Sequence, residues 1–139
     1  MPSAAFVKYD SGVEALVEGV NSQTDTWRVI LSNTAPDVAT DVTQADASEL
    51  ATGGGYTANG NQASVSSSSQ SGGVYKLVLN SPATWTGTGS GFTVRYAILW
   101  DQTQDRLIGY WDYGSSQAVA SGDTFTVTLD GTNGVFQVS

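Results

Sequence analysis

The chain contains neither cysteine nor histidine, and the two absences remove whole classes of chemistry. Without cysteine there is no disulfide, no thiolate nucleophile and no cysteine-ligated metal. Without histidine the common Ser-His-Asp triads and the histidine-ligated zinc sites are excluded as well. The sequence therefore favours a protein that is not an enzyme and that needs no cofactor.

Basic residues and long apolar runs are also scarce. Lys and Arg together number 5 against 13 Asp and Glu, so the net charge is -8 and the isoelectric point is near 4.1. Nucleic acid is not an expected partner, because duplex binding requires cationic side chains that displace counterions. No apolar run approaches the roughly 18 residues that span a bilayer, and the N-terminus lacks a signal-peptide pattern. We expect a soluble protein that is made in the cytosol and has no membrane partner.

The composition favours one β-rich domain. A chain of 139 residues lies within the usual size of a single domain. Charged residues make up 13% of it, about half the usual share, and Ser, Thr, Asn, Gln and Gly supply the remaining polar surface. Residues 1–139 are predicted to form one domain, with a possible N-terminal arm over residues 1–10. That segment suits either an arm that reaches a neighbouring subunit or an edge strand, and we favour the strand.

The N-terminal half predicts one short helix and one clear strand. Ser11 and Glu14 have the spacing of a capping box at a helix start. Glu14 and Glu18 are expected on the outer face of this helix. The apolar residues at helical spacing define its inner face, and they are Val13, Leu16, Val17 and Val20. Residues 27–31 alternate as a strand, and residues 46–51 favour a turn or two of helix. Three glycines at 53–55 predict a loop, and residues 62–71 predict an exposed strand or a mobile ribbon.

The C-terminal half predicts several antiparallel strands. Residues 92–100 are largely apolar on both faces, which is typical of a central strand. The residues assigned to one face are Phe92, Val94, Tyr96, Ile98 and Trp100, and those assigned to the other are Thr93, Arg95, Ala97 and Leu99. Further strands are predicted over residues 75–79 and 107–113, and a half-buried last strand over residues 124–129. These elements favour a mainly β fold, an antiparallel β-sandwich or jelly-roll-like barrel, with one or two short helices near the N-terminal half. The first helix is expected to cover an edge or an end of the sheet.

Several aspartates and one glycine-rich loop are candidates for chemical sites. Asp101, Asp105 and Asp112 could supply the two carboxylates of a glycan hydrolase. Calcium could bind acidic loops, with these candidate ligands: Asp37, Asp41 and Asp46, or Asp101 and Asp105. Aspartates in loops are more often turn formers, so we predict no catalytic residue and no metal ligand. Residues 87–91 have the glycine density of a phosphate loop but no following Lys, and they predict a flexible connection between strands.

Aromatic residues are concentrated between residues 85 and 113. Trp100 has the period of the central strand and is expected in the core. The other rings could belong to the core, to a protein interface or to a sugar-stacking surface, and these alternatives stay open. The candidate interface residues are Trp85, Tyr110, Trp111 and Tyr113.

Four groups of segments, taken in order, resemble a family of small virion proteins encoded in the structural gene clusters of tailed phages and prophages. They are TDTWRVIL (24–31) with NTAP (33–36), ELA (49–51) with GGYT (54–57), RYAIL (95–99), and LIGYWDYGS (107–115) with GDTFTV (122–127). One departure follows the GGYT motif, where family members often have two glycines and this chain has Ala58, Asn59 and Gly60.

The resemblance implies a non-enzymatic virion protein without catalytic residues to transfer. It implies a capsid decoration or cement protein that binds the major capsid protein on the outside of the shell, plausibly as a homotrimer. The expected location is then the capsid surface of the virion, after synthesis in the host bacterial cytoplasm. A tail-tip protein or carbohydrate-binding β-sandwich module is the alternative, with Trp85, Trp111 and Tyr113 stacking on sugar rings.

Overall fold

The computed structural model describes residues 4–139, which form mainly antiparallel strands. One α-helix, α1, spans Asp10–Glu18, and one 3-10 helix spans Gln44–Ala47. The strands are β1 (Phe6–Lys8), β2 (Trp27–Ser32), β3 (Asn61–Gln62), β4 (Val65–Ser71), β5 (Val74–Leu79), β6 (Trp85–Thr86), β7 (Phe92–Asp101), β8 (Arg106–Val119), β9 (Thr124–Phe125) and β10 (Phe136–Val138).

The strands form three antiparallel sheets. The largest has the order β1-β8-β7-β2-β3, the second has the order β10-β5-β4, and β6 pairs with β9. The fold is mainly β and sandwich-like, which confirms the predicted fold class. The predicted N-terminal edge strand is confirmed for Phe6–Lys8, which pair with β8, while residues 1–3 of the possible arm lie outside the described residues.

Strand β7 is the central strand of the largest sheet, as its two apolar faces predict. It pairs with β2 on one side and with β8 on the other. One face of the sheet, which includes Val29 of β2 and Leu99 of β7, packs in the main core with Leu77 of the second sheet. The opposite face, which includes Ile98, packs in a smaller core under Tyr9 and Ala47. Both faces of the sheet are therefore covered, and this accounts for the apolar run.

The alternation along β7 is interrupted, which corrects the predicted facing. Val94 packs in the main core with Ala97 and Leu99, whereas Ile98 and Trp100 pack in the smaller core. The β7–β8 register shifts between Val94 and Tyr96, and such an irregularity reverses the side to which following residues point. The prediction that Val94 and Trp100 share a face is therefore wrong.

Helix α1 packs against β8, beside the edge strand β1, and differs from the prediction in its cap and in part of its inner face. It starts at Asp10 after Tyr9, which makes no side-chain cap bond, and the Ser11 hydroxyl instead donates to the Asp41 carbonyl. The predicted capping box is therefore wrong. The buried residues of α1 are Gly12 and Ala15, because the helix rests directly on the backbone of β8. Of the predicted inner face, Leu16 and Val20 pack against the main core, whereas Val13 and Val17 are exposed.

Of the two alternatives for residues 62–71, the exposed strand is confirmed. Residues 62–71 contain a true strand, β4, which is paired with β5 through a tight turn at Gly72 and Gly73. Residues 124–129 alternate in burial as predicted, yet only Thr124–Phe125 pair with another strand, and β10 follows them as the last strand.

Candidate functional site

The predicted aromatic cluster divides between the interior and the surface. Trp85, Trp111 and Tyr113 are buried in the main core, with at most 9% of each residue exposed. Tyr110 is half-buried and packs against the smaller core on the other face of β8. Tyr110 therefore points to the opposite side of the sheet from Trp111 and Tyr113.

Ring contacts explain this burial. Between ring centroids, Trp111 lies 4.8 Å from Phe6 of β1, and Tyr113 lies 5.3 Å from Phe125. Trp85 contacts Phe125 and stacks near Tyr56. These rings join β1, β6, β8 and β9, so they hold the core together. The interface role stays a prediction, and of the four residues Tyr110 is the most exposed.

The carboxylates weighed for glycan hydrolysis do not converge. Asp112 forms an ion pair with Arg95 at 2.9 Å, which together with the Gly114 N–H lowers its pKa. Asp105 accepts hydrogen bonds from the Trp100 indole and the Gln44 backbone, both at 3.0 Å. Asp101 lies about five ladder positions from Asp112 along β7 and β8, or roughly 16 Å at strand spacing. This exceeds the spacing of roughly 5 to 9.5 Å that glycosidases use.

The aspartates weighed as calcium ligands serve local turns. The carboxylate of Asp41 accepts from the Asp37 N–H, and that of Asp37 accepts from the Ala39 N–H. Asp46 accepts from the Val42 and Thr43 N–H groups, which lower its pKa. Within residues 4–139 no group of three or more acidic side chains is placed to hold a metal ion.

The glycine-rich loop at 87–91 packs against the glycines of residues 53–55. The Thr88 N–H donates to the Gly54 carbonyl at 2.9 Å. A Cβ on Gly54 would lie 1.9 Å from the Gly91 carbonyl oxygen, so only glycine allows this approach. The loop connects β6 with β7, as predicted, and the glycines serve backbone packing.

A pair of buried carboxyls, Asp25 and Asp101, was missed by the sequence reasoning. Asp101 is fully buried at the end of β7, and Asp25 is 8% exposed just before β2. Burial and the adjacent Asp25 carboxyl raise the pKa of Asp101 to about 7. Both residues flank strands in the sequence, but their proximity depends on the β2–β7 register, in which Trp27 pairs with Asp101.

Large apolar side chains are exposed at four positions of the described chain: Val7, Val13, Val17 and Val138. Val13 and Val17 lie one turn apart on the outer face of α1, and Val17 is 86% exposed. The periodicity of the helix had placed these two residues on its inner face. They are the most exposed apolar pair on one element, and therefore a candidate contact surface.

Comparison with known proteins finds no matching family model, no similar curated protein and no similar solved structure. Among the described residues, no helix has the length and apolar character needed to cross a membrane.

Proposed function

We propose that the protein is a non-enzymatic structural component of a tailed-phage virion. In this proposal it decorates the outside of the capsid shell as a homotrimer, binds the major capsid protein and stabilises the shell. The protein would be made in the host cytoplasm and would act on the capsid surface. The resemblance of four groups of segments, in their order along the chain, is the basis of the proposal.

The observation that carries the proposal is that these segments are neighbours in the fold. Residues 24–31, 95–99 and 107–115 contribute to β2, β7 and β8, which are adjacent strands of the largest sheet. Residues 49–57 join the same unit, because the Tyr56 hydroxyl accepts from the Leu31 N–H of β2. Matching segments that form one packed unit support a shared fold better than scattered matches would.

The surface has properties that suit attachment to a repeated shell. With a net charge of -8 the protein would stay soluble until it meets its partner. The exposed pair Val13 and Val17 provides a small apolar contact beside the acidic residues Glu14 and Glu18. A small contact is sufficient when three copies bind together, because multivalency raises the overall affinity.

Cosedimentation with shells tests the proposal. Shells of the phage that encodes the chain, assembled without this protein, are mixed with the purified protein and then heated or exposed to low salt. We expect saturable binding and a higher temperature of shell disruption than in shells without the protein. Absence of binding, together with a glycan-array signal from the free protein, would replace this function with the tail-tip or carbohydrate-binding alternative.

A further inference from the structure

The carboxyl groups of Asp25 and Asp101 meet at one end of the largest sheet. Asp101 ends β7 opposite Trp27, and Asp25 lies two residues before Trp27 in the preceding loop. Backbone contacts hold the two segments together: the Gln102 N–H donates to the Thr26 carbonyl at 2.9 Å, and the Thr26 N–H donates to the Thr103 hydroxyl at 2.8 Å. The Asp25 carboxyl is then close enough to help raise the pKa of Asp101. Because Asp101 is fully buried and Asp25 nearly so, water does not separate the two groups from each other as it would on the surface.

Donors are too few for two ionised carboxylates. Asp101 Oδ1 accepts from the Gln104 N–H at 3.1 Å, and Asp25 Oδ2 accepts from the Asn21 N–H at 3.1 Å. Asp101 Oδ2 is buried and has no hydrogen-bond donor among the described residues. A buried carboxylate oxygen without a donor is costly, and a proton between the two carboxyls would supply the missing donor.

The charged groups nearby are directed elsewhere. Arg106 lies opposite Asp101 in the β7–β8 ladder, but its guanidinium donates to the Asp105 carbonyl at 3.0 Å. Arg28 of β2 donates to the Asn59 and Gly60 carbonyls. The Asp105 carboxylate is occupied by the Trp100 indole. Residues 19–24, which precede Asp25, contain no titratable side chain. No described cation therefore neutralises the pair.

We propose that Asp25 and Asp101 share one proton, and that this proton links the loop before β2 to the end of β7. Removal of the proton leaves two buried negative charges in contact, so the linked end of the sheet becomes less stable. The protein would thus contain a contact whose stability depends on a bound proton. This inference does not depend on the proposed capsid function.

The direction of the pH effect follows from the two states. In the unfolded chain Asp101 loses its proton near the ordinary aspartate pKa of about 4. In the fold the pKa of Asp101 is raised, so the folded state retains a proton that the unfolded state has lost. The stabilisation is fully present below the unfolded pKa and is lost as the pH rises through the folded one. Because the chain has no histidine, few other groups titrate near neutral pH.

Thermal unfolding of the full chain between pH 5 and pH 8 tests the proposal, with Ca²⁺ excluded by a chelator. We expect the Tm of the natural protein to fall by roughly 5 °C or more over this range. Asp101→Asn and Asp25→Asn should each flatten the dependence, because the amide donates permanently to the remaining carboxylate. At pH 8 either variant should melt above the natural protein. Asp112→Asn is the control: it removes the half-exposed carboxylate of the Arg95 ion pair but leaves Asp25 and Asp101 intact, so it should keep the natural pH dependence between pH 5 and pH 8.

A flat Tm for the natural protein, or variants that melt below it at every pH, would overturn the shared proton. A second part of the experiment adds Ca²⁺ at about 1 mM, a concentration at which calcium occupies many loop sites. If Ca²⁺ raised the Tm of the natural protein at pH 8 but not that of Asp101→Asn, the pair would bind a cation instead. Should the variants fail to fold, carboxyl ¹³C NMR of the natural protein replaces them. We expect one aspartate to titrate near neutral pH, and the proposal fails if every aspartate titrates below about pH 5.

Discussion

The buried Tyr56 hydroxyl donates a hydrogen bond to the carboxylate of Glu49. The same hydroxyl accepts from the backbone N–H of Leu31 at 3.2 Å, and the Glu49 carboxylate also accepts from the Asn59 N–H. The contact therefore fastens the long connection between β2 and β3 onto the edge of the sheet. It joins two segments that the family resemblance singled out, residues 24–31 and residues 49–57.

Tyr56→Phe is expected to destabilise the protein by about 1–3 kcal/mol, because it leaves the buried Leu31 N–H and the Glu49 carboxylate without the hydroxyl. Chemical denaturation measures this loss. Tyr75→Phe is the matched control, since the Tyr75 hydroxyl meets only the half-buried Ser68 hydroxyl, and its effect should stay within about 0.5 kcal/mol. Equal losses in the two variants would contradict the fastening role of Tyr56.

Gly12→Ala is expected to destabilise the protein by at least about 1 kcal/mol, although alanine is the better helix former. A Cβ at Gly12 would lie 2.6 Å from the Leu107 carbonyl oxygen of β8, so the helix would have to move away from the sheet. Gly19→Ala, at the end of α1, has no neighbour closer than 4.0 Å and should be neutral or slightly stabilising. A stabilising Gly12→Ala, measured by the same denaturation, would show that α1 does not rest on β8 as described.

Trp111→Ala is expected to cost about 3–5 kcal/mol of stability in the isolated protein, because the ring is buried against Phe6. Tyr110→Ala should cost less, since Tyr110 is only half-buried. Thermal unfolding of both variants, with the oligomer mass measured in parallel, distinguishes a core role from an interface role. If Trp111→Ala left the stability unchanged and altered only the oligomer mass, the core assignment of Trp111 would fail.

Val17→Gln is expected to weaken shell binding at least about threefold while leaving the Tm within about 2 °C, because the Val17 side chain is 86% exposed. The cosedimentation isotherm gives the affinity. Val138→Gln changes the same residue type at another exposed position and should bind as the natural protein does. If both variants bound normally, the outer face of α1 would not be the contact surface.

The central strand and the fold class could be predicted because they depend on local sequence patterns. Residues 92–100 are apolar on both faces, and this pattern survives in β7 although a register shift redistributes the faces. The shift could not be predicted, since it arises where β8 carries extra residues around Gly114.

The inner face of α1 is predicted only in part: Leu16 and Val20 pack against the main core, but apolar periodicity overlooks the small residues at the closest contact. The helix is nine residues long and lies on the backbone of β8, where only Gly12 and Ala15 fit. Val13 and Val17 are then left outside. The Asp25 and Asp101 pair could not be predicted either, because the two residues lie far apart in the sequence and only the strand register brings them together.

The most direct test of the capsid proposal is to image shells to which the purified protein has been added, and to measure the mass of the free protein. Averaged electron micrographs should show extra density at regular positions on the outer surface of the shell. The free protein should have three times the 14.5 kDa mass of the chain. Bare shells would contradict the decoration proposal. Bare shells together with a monomer mass would contradict both the binding to the major capsid protein and the homotrimer.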